Sequence, residues 1–114
     1  IGSSYGAQVE MHHYEPLFKD MRQDKQLLNL FKDVMTEFGE SPRILPDDEA
    51  DGSTDVGNVS YEVPTAQPTL QIGLGLEAHT PEFTCAAGSD YGLDQAIKGA
   101  KIMAVVALRY AMCK

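Results

Sequence analysis

Residues 90 to 113 read DYGLDQAIKGAKIMAVVALRYAMC, with apolar side chains at the three- and four-residue spacing of an α-helix. The pattern predicts a final helix that begins near Asp90 or Gly92 and runs to the end of the chain. One face of this helix carries a regular apolar series: Leu93, Ile97, Ala100, Ala104, Leu108 and Met112. Further apolar residues widen that face until almost the whole surface is apolar: Ile102, Met103, Val105 and Val106. Such a helix needs other parts of a protein on both of its sides.

The size and charge of the chain exclude several classes of protein. Its 114 residues allow at most one domain. A formal net charge of -8, with only nine Lys and Arg residues, argues against binding to nucleic acid or to a membrane surface. The longest apolar run, residues 102–108, is too short to span a bilayer. Two cysteines, Cys85 and Cys113, are expected to be free thiols in a reducing compartment, which predicts a cytoplasmic location.

The N-terminal part of the chain predicts a strand and then a helix. Apolar and polar residues alternate over residues 3–14, as in a half-buried strand. His12 and His13 lie next to each other there, and because successive strand residues face opposite sides, a structural role is favoured over a shared metal ion. Helical spacing follows, with Asp24 as the predicted N-cap and Gly39 as the stop.

An acidic stretch follows that helix, within residues 41–51. It carries four carboxylates: Asp47, Asp48, Glu49 and Asp51. Their spacing does not fit the twelve-residue calcium loop, so a solvated acidic loop is predicted. A metal-buffering role for residues 47–51 is the weaker alternative.

The next stretch, GSTDVGNVSYEVP at residues 52–64, predicts a short helix that ends at Pro64 and has Ser53, Thr54 or Asp55 as its cap. Its exposed N–H groups could bind an anion, or the segment could be a capped turn only. Residues 69–74 then alternate like a buried strand.

His79 follows the predicted strand, in a loop held by Thr80 and Pro81. Thr80-Pro81 is expected to stop regular structure at this point. A histidine just past a strand end suits a metal ligand or a general base, and the alternative is an ordinary surface histidine. Two long apolar helices and two or three strands exceed what 114 residues can cover, which suggests a piece of a larger α/β enzyme.

Four segments together resemble the C-terminal end of the zinc-dependent peptidase M20 family: GSTDVGNVSYEVP, TLQIG, HTPEF and CAAGSDYGLDQAIKGAKIMAVVAL. The nearest branch is similar to Xaa-Arg or β-alanyl-lysine dipeptidases. The resemblance implies an α/β fold, namely the C-terminal portion of a zinc-peptidase catalytic domain, a mixed sheet with helices. Residues 1–15 would be the last strand and end of a lid and dimerisation domain, and residues 16–114 would belong to the catalytic domain. The complete enzyme would be a homodimer through its lid.

The resemblance also implies a reaction, hydrolysis of an amide bond in small dipeptides or N-acyl amino acids by an enzyme with two zinc ions. His79 falls on the position of the family's last zinc ligand. A loop near the active site that holds substrate corresponds to Gly52, Ser53, Thr54, Asp55 and Asn58. The general-base glutamate and the other zinc ligands belong to a part of the family that has no match here. The chain would therefore hold no catalytic residue and an incomplete zinc site, and we expect it to be inactive by itself.

A second hypothesis comes from a different class of protein. The chain would be a non-catalytic interaction or structural domain that retains part of the same fold. Partner chains would then have to cover the apolar helix at 92–113, because large exposed apolar patches are rare on monomers.

Overall fold

The computed structural model describes residues 6–46, 49 and 52–113, and every regular element within those residues is a helix. No helix in this part of the chain is long and apolar enough to cross a membrane. Extended and turn segments connect the helices. In chain order these are α1 (Lys25–Glu37), α2 (Val56–Val59), α3 (Pro81–Ala87) and α4 (Asp90–Met112).

The predicted α/β fold with a mixed sheet is wrong, since the described ranges contain no strand. The N-terminal segment shows why the alternation misled us. Val9 is 73% exposed and Met11 is 93% exposed, so the apolar side chains of the described part of the predicted strand, residues 6–14, bury almost nothing. A strand needs a neighbour to share its backbone hydrogen bonds, and residues 6–14 lie against none. Residues 3–5 of this prediction lie outside the described residues.

The second predicted strand, residues 69–74, is an extended segment that lies along α4. Leu70 packs against the core, but Leu74 is 87% exposed. The carbonyl of Gln71 accepts a hydrogen bond from Gln95 Nε2 at 2.9 Å, and Gln95 is only 3% exposed. A side chain of α4 therefore makes the hydrogen bond that a neighbouring strand would have made, and the segment stays outside any sheet.

The predicted first helix is confirmed as α1. Asp24 is its N-cap, and the Asp24 carboxylate accepts a hydrogen bond from the Leu27 amide at 2.8 Å. Gly39 follows the helix with a left-handed φ of 83°, and the Glu40 amide then reaches back to the Met35 carbonyl at 3.0 Å. This is the glycine-dependent helix end that the sequence indicated.

The predicted final helix is confirmed as α4, which begins at Asp90 and ends at Met112. Ser89 is its N-cap, and its hydroxyl oxygen accepts a hydrogen bond from the Gly92 amide at 3.1 Å. The predicted short helix is also present as α2, but it ends at Val59 and not at Pro64. Helix-like turns continue beyond it, since the Val63 amide still bonds to the Val59 carbonyl at 3.1 Å.

The prediction that Thr80-Pro81 stops regular structure is wrong, since these two residues start a helix, α3. Pro81 is the first helical residue, where its missing N–H leaves no hydrogen bond unmade. Thr80 is the N-cap, and its hydroxyl oxygen accepts a hydrogen bond from the Phe83 amide at 3.2 Å. The dipeptide Thr-Pro followed by an acidic residue, Glu82, was the signal for this helix start.

The core lies where α1 packs against α4. Its buried side chains are Val34, Met35, Ile102 and Val106. Two ion pairs join the same two parts of the chain. Arg109 binds the Glu37 carboxylate through both guanidinium nitrogens, at 2.6 and 2.8 Å, and Lys98 Nζ lies 2.6 Å from Glu40 Oε1. Only one side of α4 is covered in this way, so the prediction that the helix has cover on both sides is not met within the described residues.

Candidate functional site

The loop that was predicted to hold substrate packs against the segment that precedes α1. Asn58 makes the central contacts. Its Oδ1 accepts a hydrogen bond from the Lys19 amide at 2.7 Å, and its Nδ2 donates to the Leu17 carbonyl at 3.1 Å. The Asn58 amide group thus bonds the backbone of the preceding segment much as a neighbouring strand would. We call this contact between residues 17–22 and residues 54–61 the loop clamp.

Two small residues allow the loop clamp to close. Gly57 is buried, and a Cβ atom at this position would overlap the Lys19 carbonyl oxygen. Ser60 Oγ accepts a hydrogen bond from the Arg22 amide at 2.9 Å and donates one to the Gly57 carbonyl at 2.6 Å. The backbones of the two segments can therefore approach only because residue 57 has no side chain.

Tyr61 adds a polar contact that no pattern in the sequence indicates. Its hydroxyl donates a hydrogen bond to Asp20 Oδ1 at 2.6 Å. This bond raises the pKa of Tyr61 and lowers the pKa of Asp20, because it stabilises the neutral phenol and the charged carboxylate together. Lys19 Nζ and Arg22 Cζ lie 4.5 and 3.9 Å from the centre of the Tyr61 ring, within cation–π distance. No spacing rule links residues so far apart in sequence.

The other predicted substrate-binding residues lie at the start of α2. Gly52 and Ser53 are exposed, and Thr54 is half-buried with its Oγ1 accepting a hydrogen bond from the Val56 amide at 3.3 Å. Asp55 occupies the N-cap position, but its side chain makes no capping hydrogen bond. The predicted loop therefore divides into an accessible part at 52–55 and Asn58, whose amide group is engaged in the clamp.

His79 lies on an exposed turn just before α3. Its φ of 66° is the only positive value at a non-glycine residue among the described residues. The next residue fixes this turn, because Thr80 Oγ1 donates a hydrogen bond to the Glu77 carbonyl at 2.7 Å and also caps α3. A left-handed backbone is costly for a residue with a Cβ, so the surrounding hydrogen bonds hold His79 in a conformation it would not choose alone.

The described residues do not form a complete metal site. No group of three or more His, Cys, Asp or Glu side chains within 6–46, 49 and 52–113 is placed to hold a metal ion. A catalytic zinc ion takes about three protein ligands, and His79 offers one. No hydrogen bond or ion pair among these residues connects His79 with the loop at 52–58.

The acidic loop has only one described carboxylate, that of Glu49. Its Oε2 lies 3.6 Å from Arg43 Nη2. Asp47, Asp48 and Asp51 lie outside the described residues, and the metal-buffering hypothesis stays a prediction.

A groove of about 510 Å³ opens between α1, residues 66–72 and α4. Its lining is mostly apolar and includes Phe31, Met35, Leu70, Ile102 and Met103. Gln95 is one of its polar groups, and that side chain already donates to the Gln71 carbonyl. None of the predicted site residues lines this groove. It therefore suits apolar side chains and offers no group for amide hydrolysis.

Comparison with known proteins relates half of the chain to dipeptidases. The Xaa-Arg dipeptidases of Homo sapiens and Mus musculus are each 44% identical to it over 57 residues. The match covers 50% of this chain and 13% of each relative. This half of the chain is related to a dipeptidase. No family model matches the chain, and no solved structure matches it.

Proposed function

We propose that this chain is the C-terminal segment of a dizinc-dependent amide or dipeptide hydrolase of the M20 family. The observation that carries the proposal is the 44% identity with Xaa-Arg dipeptidases over 57 residues. Xaa-Arg describes a dipeptide whose second residue is arginine, so we infer a substrate of this class, a small dipeptide or an N-acyl amino acid. The match spans about an eighth of the length of these relatives, so the activity would belong to a larger protein.

In this proposal His79 supplies one imidazole ligand to one zinc ion of the complete enzyme. Its support is the backbone, since a non-glycine residue held in the left-handed region is a feature that clusters at functional sites. The remaining ligands, the second zinc ion and the general base would lie outside this chain. Residues 1–15 would form the end of the lid domain that makes the homodimer, and residues 16–114 would belong to the catalytic domain.

The accessible part of the 52–58 loop would lie beside the substrate. The Ser53 hydroxyl and the Asp55 carboxylate are both exposed, and neither makes a side-chain hydrogen bond within the described residues. An exposed carboxylate is suited to the guanidinium group of an arginine-containing dipeptide. Asn58 would support this loop from behind through the loop clamp, without touching the substrate.

We expect the isolated chain to hydrolyse no Xaa-Arg dipeptide, even with added zinc, because a catalytic zinc ion takes about three protein ligands and the proposal assigns only His79 to this chain. A graft provides the positive test. Residues 52–108 would replace the equivalent segment of the human Xaa-Arg dipeptidase. We expect a folded protein with zinc and dipeptidase activity, and we expect His79→Ala in that graft to lose zinc and activity together.

The matched control in the graft is Glu82→Ala, an exposed change three residues away on α3. It should leave zinc content and activity unchanged. A folded His79→Ala graft that keeps its zinc would refute the ligand role. A folded graft without dipeptidase activity would instead favour the second hypothesis, a non-catalytic interaction domain. One structural observation favours that hypothesis, namely the exposed apolar face of α4.

A further inference from the structure

The side of α4 that contacts the rest of the chain changes in character along the helix. Its residues recur at spacings of three and four: Gly92, Gln95, Gly99, Ile102 and Val106. The last two are apolar and belong to the core. The first three carry no apolar side chain, and Gln95 is only 3% exposed. Burying a polar side chain costs free energy unless it is hydrogen-bonded, so the contact made by Gln95 has a specific role in this part of the fold.

The segment that leads to His79 is attached to this half of α4. Gln95 Nε2 donates a hydrogen bond to the Gln71 carbonyl at 2.9 Å. Leu70 lies beside Gly99, where an added Cβ atom would be 3.1 Å from Leu70 Cδ1. Residues 70 and 71 therefore lie directly on the surface of the helix, and the hydrogen bond from Gln95 fixes them there.

The segment that follows His79 is attached to the same part of α4. This segment is α3, whose last turn lies against the first turn of α4. A Cβ atom at Gly92 would overlap the Ala86 carbonyl oxygen, so the two backbones are in close contact. Ser89 Oγ also donates a hydrogen bond to that carbonyl, at 2.7 Å. The end of α3 is therefore fixed on α4 at Gly92, about one helical turn from Gln95.

We propose that Gln95 is a positioning residue for His79. Gln71 and Ala86 lie eight residues before and seven residues after His79, and both are attached to α4 within about one turn. A rigid helix thus sets the separation of the two ends of the segment that carries His79. This constraint accounts for the left-handed φ of 66° at His79, because such a backbone persists only where its surroundings over-determine it.

The consequence for zinc rests on the proposed function, in which the turn presents the His79 imidazole. The attachment itself does not depend on that function. A metal-binding histidine must be held in a defined orientation, and groups that do not touch the metal commonly provide this. In this chain Gln95 would act on His79 through the backbone of residues 71–79 and would not contact the zinc ion.

Gln95→Met provides the test, because methionine has a similar length and volume but cannot donate the hydrogen bond. Nuclear magnetic resonance of the 114-residue chain would measure the backbone order parameter of His79 and the intraresidue nuclear Overhauser effect between its amide and Hα protons, which is strong at positive φ. The wild type should show a strong effect and an order parameter of about 0.85. In Gln95→Met the effect should weaken, and the order parameter should fall below about 0.6.

Two controls separate this role from general stability. Gln26→Met makes the same chemical change at an exposed position of α1, and His79 should keep its wild-type values. Val34→Ala weakens the core, but Val34 does not line the groove beside residues 66–72. In the folded Val34→Ala chain His79 should also be unchanged. A folded Gln95→Met chain in which His79 keeps its wild-type values would overturn the proposal, and so would a wild-type His79 that is already flexible.

A second variant tests the same attachment if Gln95→Met does not fold. Gly99→Ala favours the helix, since alanine is the better helix former, but its Cβ atom pushes against Leu70. The resulting chemical-shift changes should extend from residues 70–72 to His79. Changes that stop before His79 would contradict the proposal.

The graft of residues 52–108 into the human Xaa-Arg dipeptidase tests the consequence for zinc, since it contains Gln71, His79 and Gln95. Competition with a chelator should show about tenfold weaker zinc affinity for Gln95→Met, with an unchanged KM for the dipeptide at saturating zinc. Unchanged zinc affinity in a graft that loses its zinc on His79→Ala would overturn the positioning role. If His79→Ala keeps its zinc, the proposed ligand role fails instead, and the resonance measurements still decide whether Gln95 holds the turn.

Discussion

The role of Asn58 gives the sharpest prediction, because the sequence indicated a substrate contact and the structure shows a backbone clamp. Asn58→Ala removes both hydrogen bonds of the side chain, to the Lys19 amide at 2.7 Å and to the Leu17 carbonyl at 3.1 Å. Each such bond contributes about 0.5–1.5 kcal/mol net, so the loss is about 1–3 kcal/mol. Both contacts are near the surface, which favours the lower half of that range.

The clamp should open locally before the α1 and α4 core unfolds, since the two segments share few buried apolar contacts. Hydrogen exchange of the Lys19 amide measures this opening directly. A loss of about 1.4 kcal/mol corresponds to roughly tenfold faster exchange. Asn58→Asp is the informative near-isostere: it keeps the acceptor for Lys19 but presents an oxygen to the Leu17 carbonyl, and exchange should accelerate to a similar extent.

Asn29→Ala is the matched control, because Asn29 is exposed on α1 and has no side-chain hydrogen bond within the described residues. In the Asn29→Ala variant the Lys19 amide should exchange at the wild-type rate. If Asn58→Ala also left that rate unchanged, the clamp geometry would be wrong, and a direct ligand contact would be the better account of Asn58.

Three further changes test other parts of the structure. Gly57→Ala should destabilise the loop clamp by about 1–3 kcal/mol, because the added methyl group overlaps the Lys19 carbonyl oxygen. The rate of hydrogen exchange of the Lys19 amide would again measure this effect, and an unchanged rate would contradict the close approach of the two backbones. Glu40→Gln tests the ion pair with Lys98, whose hydrogen bond lowers the pKa of Glu40. Because the folded-state pKa is lowered, the ion pair stabilises the fold above the ordinary pKa of 4.5, and this stabilisation is lost as the pH falls through the folded-state pKa. The free energies of unfolding of the wild type and the variant, measured in urea, should therefore converge below about pH 4.5. A difference that stays constant with pH would argue against the pair. His79→Gly should raise the free energy of unfolding by up to about 1 kcal/mol. Glycine accepts the positive φ without strain, and this gain is partly offset because glycine loses more chain entropy on folding. A destabilised variant would mean that the imidazole makes contacts that outweigh the strain.

Local signals in the sequence predicted α1 and α4 well. Asp24 and Gly39 bound α1 as expected, and the apolar periodicity predicted a final helix that begins near Asp90 or Gly92, where α4 begins at Asp90. These features depend on neighbours within four residues, so the sequence contains them directly. Thr80 and Pro81 show that even a local signal can be ambiguous, because the same dipeptide can end one helix or strand or begin another.

The strands and the site contacts could not be predicted in the same way. Alternation at residues 3–14 and 69–74 predicts a strand only if a neighbouring strand is available, and none lies within the described residues. The loop clamp joins Asn58 to residues 17 and 19, and Tyr61 to Asp20, across about 40 positions of sequence. No periodicity or spacing rule covers contacts of that range. The role of His79 in zinc binding stays a prediction.

The sequence by itself determined where α1 begins and ends and where α4 lies, because caps, glycines and apolar periodicity act through adjacent turns. Only the tertiary structure decided which side of α4 is covered: Ile102 and Val106 pack against α1, while Leu93 and Ile97 remain exposed. The physical reason is that apolar residues lie on more than one side of α4, so the helix has no local preference for one side, and the choice is made by the partner that packs against it.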